Sequence, residues 1–237
     1  MSSPEELFAT VLAARPAQPL VTFYHEGRAE RSELSARSLA NWVAKTYFLL
    51  SDELGLGIGD AAFIDLPAHW ISVPVLFGCW TAGLEVVTDP RHAGVAFVEP
   101  STVSLAKAVP DVFVVAPDSA AVGFAGAPPN GARDYVAAVR PQQDAWAAVH
   151  PPATAHDPAL DGATRHALAE RAAQRARELA LPEAARVLTA RDWTKPTDWV
   201  DTVLAPLAVR GSVVIVRNAT ADTIERRRQQ ERATNVV

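Results

Sequence analysis

The chain has 237 residues, of which 49% are hydrophobic and 21% are charged, a composition typical of folded globular proteins and not of disordered or fibrous chains. Acidic residues outnumber basic ones by 27 to 22, and the resulting net charge of −5 argues against nucleic acid as a partner. The longest apolar run, around residues 73–80, is too short to span a bilayer, and residues 1–20 lack the basic and apolar start of a signal peptide. A single cysteine, Cys79, excludes an internal disulfide. We therefore expect a soluble, cytoplasmic protein that binds neither nucleic acid nor a membrane.

The amino-terminal part predicts a helix, a short β-hairpin and a second helix. Ser3 is placed to cap the first helix, with Glu6 three residues further on as its reciprocal partner. A β-branched and aromatic strand is expected over residues 20–24, followed by a turn and a second short strand. Ser32 is expected to cap the next helix, which ends at Gly55, a residue without a Cβ atom that tolerates the left-handed conformation.

The region up to residue 116 alternates short apolar strands with helices. The predicted strands cover residues 61–66, 84–88, 95–98 and 112–116, and the predicted helices cover residues 68–82 and 101–108. Because these strands are apolar throughout and each is followed by a helical segment, the pattern is typical of a parallel sheet covered on both faces. The predicted fold class is therefore α/β, with parallel sheets layered with helices.

Two irregular segments interrupt this alternation, at residues 117–129 and 140–161. A structureless loop of about twenty residues is unusual inside a compact domain, so the second segment indicates a linker. Beyond it, the pattern predicts a helix capped by Thr164, a strand over Arg186–Thr189, a helix over residues 196–209 and a strand over residues 212–216. The predicted organisation is a first α/β subdomain at 1–140, a linker at 141–162, a second, partial α/β subdomain at 163–218 and a charged tail at 219–237.

The segment that follows the strand Arg186–Thr189 is the best candidate for a ligand site, because open α/β sheets bind ligands outside the carboxyl ends of their strands. It combines two cations, a carboxylate, an indole and hydroxyl groups, and the candidate ligand-binding residues are Arg191, Asp192, Trp193, Thr194 and Lys195. A structural interpretation stays open beside this one. In it, Thr194 or Lys195 caps the next helix, and Trp193 covers the edge of the core.

Other motifs predict no further chemistry. The glycines of residues 55–60 follow a helix and precede a strand, which is the reverse of the order in a phosphate-binding loop. The six histidines lack the spacing of metal ligands, and no Gly-x-Ser-x-Gly nucleophile motif occurs. The sequence therefore predicts no catalytic residue, no metal and no cofactor.

Two blocks of the chain resemble the amino-terminal part of the adenylate-forming enzymes, which include acyl-CoA synthetases, luciferases and peptide-synthetase adenylation domains. The matching stretches are residues 31–40, 54–60, 66–67 and 80–83, and then residues 186–188, 204–208 and 211–215. The chain is similar to short acyl-CoA-synthetase-like proteins of unknown function. The resemblance implies two Rossmann-like subdomains without the carboxyl-terminal parts of the family.

The resemblance also implies a phosphate-binding loop between the two blocks, rich in Ser, Thr and Gly and ending in Pro-Lys-Gly. Residues 145–164 occupy this interval, with three prolines, the single glycine Gly162 and no lysine. A triphosphate needs the N–H donors of a glycine-rich turn and cations to disperse its charge, and this segment offers neither. We therefore expect a degenerate, non-catalytic module that binds a partner or a small ligand. The alternative is a residual ligase that holds an acyl or nucleotide ligand near Arg191, Trp193 and Lys195.

The resemblance bears on partners as well. Surface that the missing parts of the family would cover is expected to be buried against a second copy of the chain, which predicts a homodimer. A heterodimer with a full-length synthetase is the alternative partner arrangement.

Overall fold

The computed structural model describes residues 2–116, 123–145 and 151–237. The chain forms two compact units. Unit 1 contains Met1–Leu39, Ala68–Trp70 and His166–Val237, and unit 2 contains Ala40–Pro67 and Ile71–Arg165. Both units are assembled from stretches that are separate in sequence. The linear division predicted above stays a prediction, and residues 146–150 of its linker lie outside the described residues, as do residues 117–122 of the first irregular segment.

The described residues form twelve strands and eight α-helices. The strands are β1 (Pro19–His25), β2 (Glu30–Ser35), β3 (Ala61–Asp65), β4 (Glu85–Val87), β5 (Val95–Val98), β6 (Asp111–Val114), β7 (Arg133–Asp134), β8 (Pro158–Leu160), β9 (Ala163–Thr164), β10 (Arg186–Thr189), β11 (Ser212–Arg217) and β12 (Asn235–Val236). The helices are α1 (Pro4–Ala14), α2 (Ala36–Phe48), α3 (Ser72–Thr81), α4 (Tyr135–Val139), α5 (Arg165–Glu178), α6 (Pro196–Trp199), α7 (Ala205–Ala208) and α8 (Ala221–Gln230).

Unit 1 contains a five-stranded sheet in the order β12-β10-β11-β1-β2. The first four strands run parallel, and β2 is antiparallel to β1 as the second strand of the predicted hairpin. The interior residues of β1 and β11 are buried along both strands and are apolar except for Thr22, so both faces of the sheet are covered at its centre.

Unit 2 contains a seven-stranded sheet in the order β7-β6-β5-β3-β4-β8-β9, parallel except for the β8–β9 pair. All four residues of β5 are buried. These two sheets with their helices confirm the predicted α/β class. None of the described helices has the length and apolar character needed to cross a membrane.

Local signals at helix ends are confirmed in two places and wrong in one. Ser3 and Glu6 form the expected reciprocal cap of α1. Helix α2 continues as the π-helical turn Leu49–Glu53, and Gly55 follows this turn with a positive φ of +68°. Ser32 does not cap α2, because it lies inside β2 opposite Phe23. Strand pairing satisfies more backbone hydrogen bonds than a cap, and α2 starts only at Ala36.

Other differences lie in the segments where tertiary contacts decide the structure. The helix predicted over residues 101–108 is only a 3₁₀ turn, Val103–Ala106. The helix predicted over residues 196–209 is α6 and α7 joined by the π-helical turn Val200–Leu204. The irregular segment at residues 140–161 includes β8, and the charged tail contains α8 and β12. Strand β12 pairs with β10, with Asn235 opposite Val187.

Candidate functional site

The predicted site residues lie in unit 1, at the edge of the sheet where three parallel strands end. β10 ends at Thr189, its neighbour β11 ends at Arg217, and β1 ends at His25. The loop over residues 190–195 follows β10 and begins at this edge. The sequence therefore places the loop at the edge where α/β proteins bind ligands, and the contacts of each side chain decide what it offers there.

Asp192 is held by contacts within unit 1. Its Oδ1 atom accepts hydrogen bonds from the backbone N–H groups of Trp193 (3.0 Å) and Ala68 (3.1 Å), and its Oδ2 atom lies 3.4 Å from the Arg217 guanidinium. Arg191 forms an ion pair of 3.2 Å with Asp201. Both charged groups are therefore engaged with other residues of the unit.

Trp193, Thr194 and Lys195 form the entrance to helix α6. The indole of Trp193 is buried and donates a hydrogen bond of 2.9 Å from Nε1 to the hydroxyl of Thr202. The buried carboxylate of Asp198 accepts from the backbone N–H groups of Thr194 (2.9 Å) and Lys195 (3.0 Å). Asp198 thereby satisfies donors that a helix start leaves without intrahelical partners. These contacts match the structural interpretation of the loop, whereas its role in ligand binding stays a prediction.

Two histidines at this edge were not singled out from the sequence. His69 is fully buried, and its ring centre lies 4.2 Å from that of Phe23. Burial, followed by the charge of Arg217, lowers the pKa of His69 to about 3, so the imidazole is neutral at pH 7. Burial also lowers the pKa of His25, whose Nε2 atom is 3.2 Å from the Asn218 side-chain nitrogen. His25 and Arg217 could have been found as the last residues of strands, but His69 could not, because its segment was predicted to be helical.

The second place of interest is the hairpin of β8 and β9 in unit 2, within the interval where the resemblance expects a phosphate loop. Asp161 and Gly162 form its turn with φ values of +43° and +80°. Asp161 accepts a hydrogen bond of 2.9 Å from the N–H of Thr88, and the N–H of Gly162 donates to the carboxylate of Glu85. Just before the hairpin, the N–H of Thr154 donates to Asp157 over 2.6 Å. Three backbone donors in and beside this segment, those of Thr88, Thr154 and Gly162, therefore bind carboxylates of the protein itself.

The hairpin is also anchored to α3. The indole Nε1 of Trp80 donates to the carbonyl of Ala159 over 3.0 Å. The guanidinium of Arg165, which is fully buried, donates to the carbonyls of Trp80 (2.9 Å) and Leu84 (3.2 Å). Burial lowers the pKa of Arg165 to about 10, so the group stays charged at pH 7. A cation at the carbonyl end of α3 is favourably placed in the field of the helix.

Metal ligands do not converge in the parts of the chain that the structure describes. Across residues 2–116, 123–145 and 151–237, no three side chains of His, Cys, Asp or Glu come together as a candidate metal site.

Comparison with solved structures shows the class of fold. The chain superposes on an anthranilate CoA ligase, crystallised with anthranoyl-AMP, with a TM-score of 0.74 at 16% identity, covering 99% of this chain and 49% of the ligase. An acyl-CoA synthetase of Brucella canis gives a TM-score of 0.73 at 17% identity, covering 92% of this chain and 44% of that protein. The fold is therefore that of the amino-terminal part of adenylate-forming acyl-CoA ligases, which confirms the predicted resemblance, and the chain spans about half the length of these structures.

Sequence comparison shows the family. No protein-family model matches the chain. A Mycobacterium tuberculosis protein described as "TIGR03089 family protein" is 36% identical over 247 residues, which cover all of both chains. The chain belongs to the TIGR03089 family.

Proposed function

We propose that the protein is a non-catalytic, acyl-CoA-synthetase-like module of the cytoplasm that acts by binding a partner or a small ligand. The observation that carries this proposal is the engagement of backbone donors in and beside residues 151–164. In the family that the chain resembles, a loop in this interval offers its N–H groups to the phosphates of ATP. Here the N–H groups of Thr88, Thr154 and Gly162 are bound to carboxylates.

Carboxylates in this place oppose a polyphosphate in two ways. They occupy the donors that would otherwise bind phosphate oxygens, and their negative charge repels those oxygens at short range. Asp161 belongs to the turn of the hairpin, and Glu85 belongs to strand β4. Moving either carboxylate away from its backbone donor would break a hydrogen bond that holds the hairpin against β4. The segment thus has the electrostatic character of a site that rejects ATP.

Nucleotide binding and pyrophosphate release test this proposal directly. Thermal unfolding of the full chain is measured with ATP–Mg²⁺, AMP, CoA and an acyl-CoA, and pyrophosphate is assayed with ATP and a mixture of carboxylic acids. A ligand at a hundred times its Kd would stabilise the fold by about 2.7 kcal/mol. We expect no shift with ATP–Mg²⁺ and no pyrophosphate. A clear shift with ATP–Mg²⁺ accompanied by pyrophosphate release would overturn the proposal.

A residual ligase is the second candidate, and the position of the 190–195 loop at the carboxyl edge of the unit 1 sheet favours it. A ligand there would meet Arg191, Trp193 and Lys195. Binding through two of these residues would cost free energy, because existing contacts would have to break first. Trp193 would lose its hydrogen bond to Thr202, and Arg191 would lose its ion pair with Asp201. Stabilisation by AMP or CoA that is lost in Lys195→Gln would support this candidate.

We propose a second copy of the chain as the partner. The solved ligases that share the fold are about twice as long as the matched region. We assign to self-association the surface of this chain that corresponds to the contact with the other half of such a ligase. Light scattering over a range of concentrations tests the homodimer, and a strict monomer at high concentration contradicts it. Co-purification of a full-length synthetase from the native cell would instead indicate the heterodimer.

A further inference from the structure

A cleft of about 520 Å³ opens on unit 2, away from the residues discussed above. It lies beside the amino end of β6, and its walls include the 3₁₀ turns Val103–Ala106 and Pro129–Gly131. Its volume is within the range of sites that bind small molecules. The opposite, carboxyl ends of the strands are where α/β sheets usually bind ligands, so fold class alone would not indicate this cleft.

One side of the cleft is apolar and continuous with the core. Val103, Ala106 and Val109 line it, are buried, and belong to the hydrophobic cluster that packs on one face of the unit 2 sheet. Ala132 lines it from the other wall and packs against the same cluster. An apolar ligand group placed here would be removed from water against side chains that are already fixed in position.

The other side of the cleft is lined by three charged side chains, and only one of them forms an ion pair within the described part of the chain. Arg133 forms an ion pair with Glu53, and its guanidinium lies 4.7 Å from the centre of the Phe113 ring. Lys107 and Asp111 also line the cleft. Neither has an ion-pair or hydrogen-bond partner for its side chain among the residues that the structure describes.

The other lysines of the chain lie in different surroundings. Lys45 donates to the carbonyls of Arg140 (3.0 Å) and Gln142 (2.5 Å), at the end of helix α4. Lys195 lies in unit 1, in the loop that enters α6, and does not line the cleft. Lys107 combines an exposed ammonium with a buried apolar wall beside it, which is the pairing that an amphipathic anion requires.

We propose that this cleft binds a small organic monoanion with an apolar body. The anionic group pairs with Lys107, and the apolar body packs against Val112 and Ala132, which line the cleft and are only partly buried. A charge-assisted hydrogen bond to the ammonium fixes the orientation, and the carboxylate of Asp111 on the same rim disfavours ligands with a second negative charge. The site would therefore select monocarboxylates and monosulfonates over phosphates. This inference goes beyond the proposed function and does not depend on the loss of catalysis.

The test is a fluorescence titration of the full chain with 1-anilinonaphthalene-8-sulfonate, followed by displacement with octanoate and with inorganic phosphate. We expect saturable binding that octanoate displaces and phosphate does not. Lys107→Gln should weaken binding at least tenfold, and Lys107→Arg should keep it within about threefold because the charge is retained. Arg37→Gln removes an exposed cation of unit 1 that does not line the cleft, so it is the control and should bind like the original chain.

A fourth variant distinguishes a site for anions from a site for cationic ligands. Asp111→Asn removes the negative charge from the rim, and it should leave the affinity for octanoate unchanged or increase it. Equal binding by Lys107→Gln and the original chain overturns the proposal, as does equal weakening in Arg37→Gln. Weakening in Asp111→Asn also overturns it, because the ligand would then be recognised through a cationic group. Circular dichroism checks that each variant is folded, which is expected because Lys107 is exposed.

Discussion

The 190–195 loop of unit 1 and the cleft of unit 2 contain similar kinds of side chain, but these side chains differ in whether the protein itself supplies their partners. In the loop, Asp192 and Trp193 are bound to backbone and side-chain groups of unit 1. In the cleft, Lys107 and Asp111 have no such partner among the described residues, and a buried apolar wall lies beside them. Charged residues at the customary edge of a sheet are thus insufficient evidence for a binding site. What matters is whether the folded chain has already satisfied them.

Side chains of the loop are bound within the protein, whereas Lys107 and Asp111 of the cleft have no described partner. Substitutions in the two places should therefore have different effects on stability and on ligand binding. Substitutions in and around the loop should change the free energy of unfolding, because they break contacts that hold unit 1 together. Substitutions at the rim of the cleft should change ligand binding and leave stability almost unaltered. Four sets of substitutions test this separation, in order of decreasing effect on stability.

The largest loss is expected for Asp198→Ala, which removes the acceptor for the backbone N–H groups of Thr194 and Lys195. Asp198 is buried, so both donors would lose a charged partner where water has little access. We expect the free energy of unfolding to fall by about 2–3 kcal/mol. Urea denaturation at pH 7 measures it, with Asp144→Ala as an exposed control. Equal stability of the two variants would contradict the role assigned to this carboxylate.

His69 should make the protein sensitive to mild acid. Its folded-state pKa of about 3 lies below the ordinary histidine pKa of 6.5, so the unfolded chain binds the proton first as the pH falls. The stability associated with the neutral imidazole is present above pH 6.5 and is lost progressively below it, by about 2 kcal/mol at pH 5. His69→Phe should remove this part of the pH dependence, whereas the exposed His92→Gln should retain it. Denaturation curves at pH 7 and pH 5 for both variants provide the comparison.

The hydrogen bond between Trp193 and Thr202 should contribute a smaller amount. Trp193→Phe removes the indole N–H and some buried area, and we expect a loss of about 1–2 kcal/mol. A double-mutant cycle with Thr202→Val isolates the pair, with an expected coupling of about 1 kcal/mol. Additive effects of the two substitutions would show that the bond does not stabilise the loop.

The smallest effects are expected for exposed charges. The side chain of Asp192 is 53% exposed, so Asp192→Asn, which weakens the ion pair with Arg217, should cost about 0.5–1 kcal/mol. Lys107→Gln should change stability by less than about 0.5 kcal/mol, since its ammonium has no described partner to lose. Thermal unfolding of both variants beside the original chain measures this. A substantial loss in Lys107→Gln would mean that Lys107 supports the fold, and the contrast between loop and cleft would fail.

Local sequence signals predicted much of the secondary structure. The strands Val95–Val98 and Arg186–Thr189 have the predicted bounds. The first is a short apolar run between turn residues, and the second has an apolar centre, Val187 and Leu188. The cap at Ser3 and the positive φ of Gly55 also follow from a few neighbouring residues. The hairpin of β8 and β9 and the edge strand β12 were not predicted. They are only two or three residues long and form because a partner strand from another part of the sequence is present.

By itself, the sequence determined the α/β class, the resemblance to adenylate-forming enzymes and the position of the 190–195 loop at the carboxyl edge of a parallel sheet. These properties follow from hydrophobic periodicity and from strand direction, which short windows of sequence contain. Only the tertiary structure decided which polar groups are occupied. Ala68 binds Asp192 from 124 positions away, and Thr22 meets Arg186 across 164 positions. Hydrogen bonding is decided by distance in space, and no pattern of neighbouring residues specifies which groups the fold will bring together.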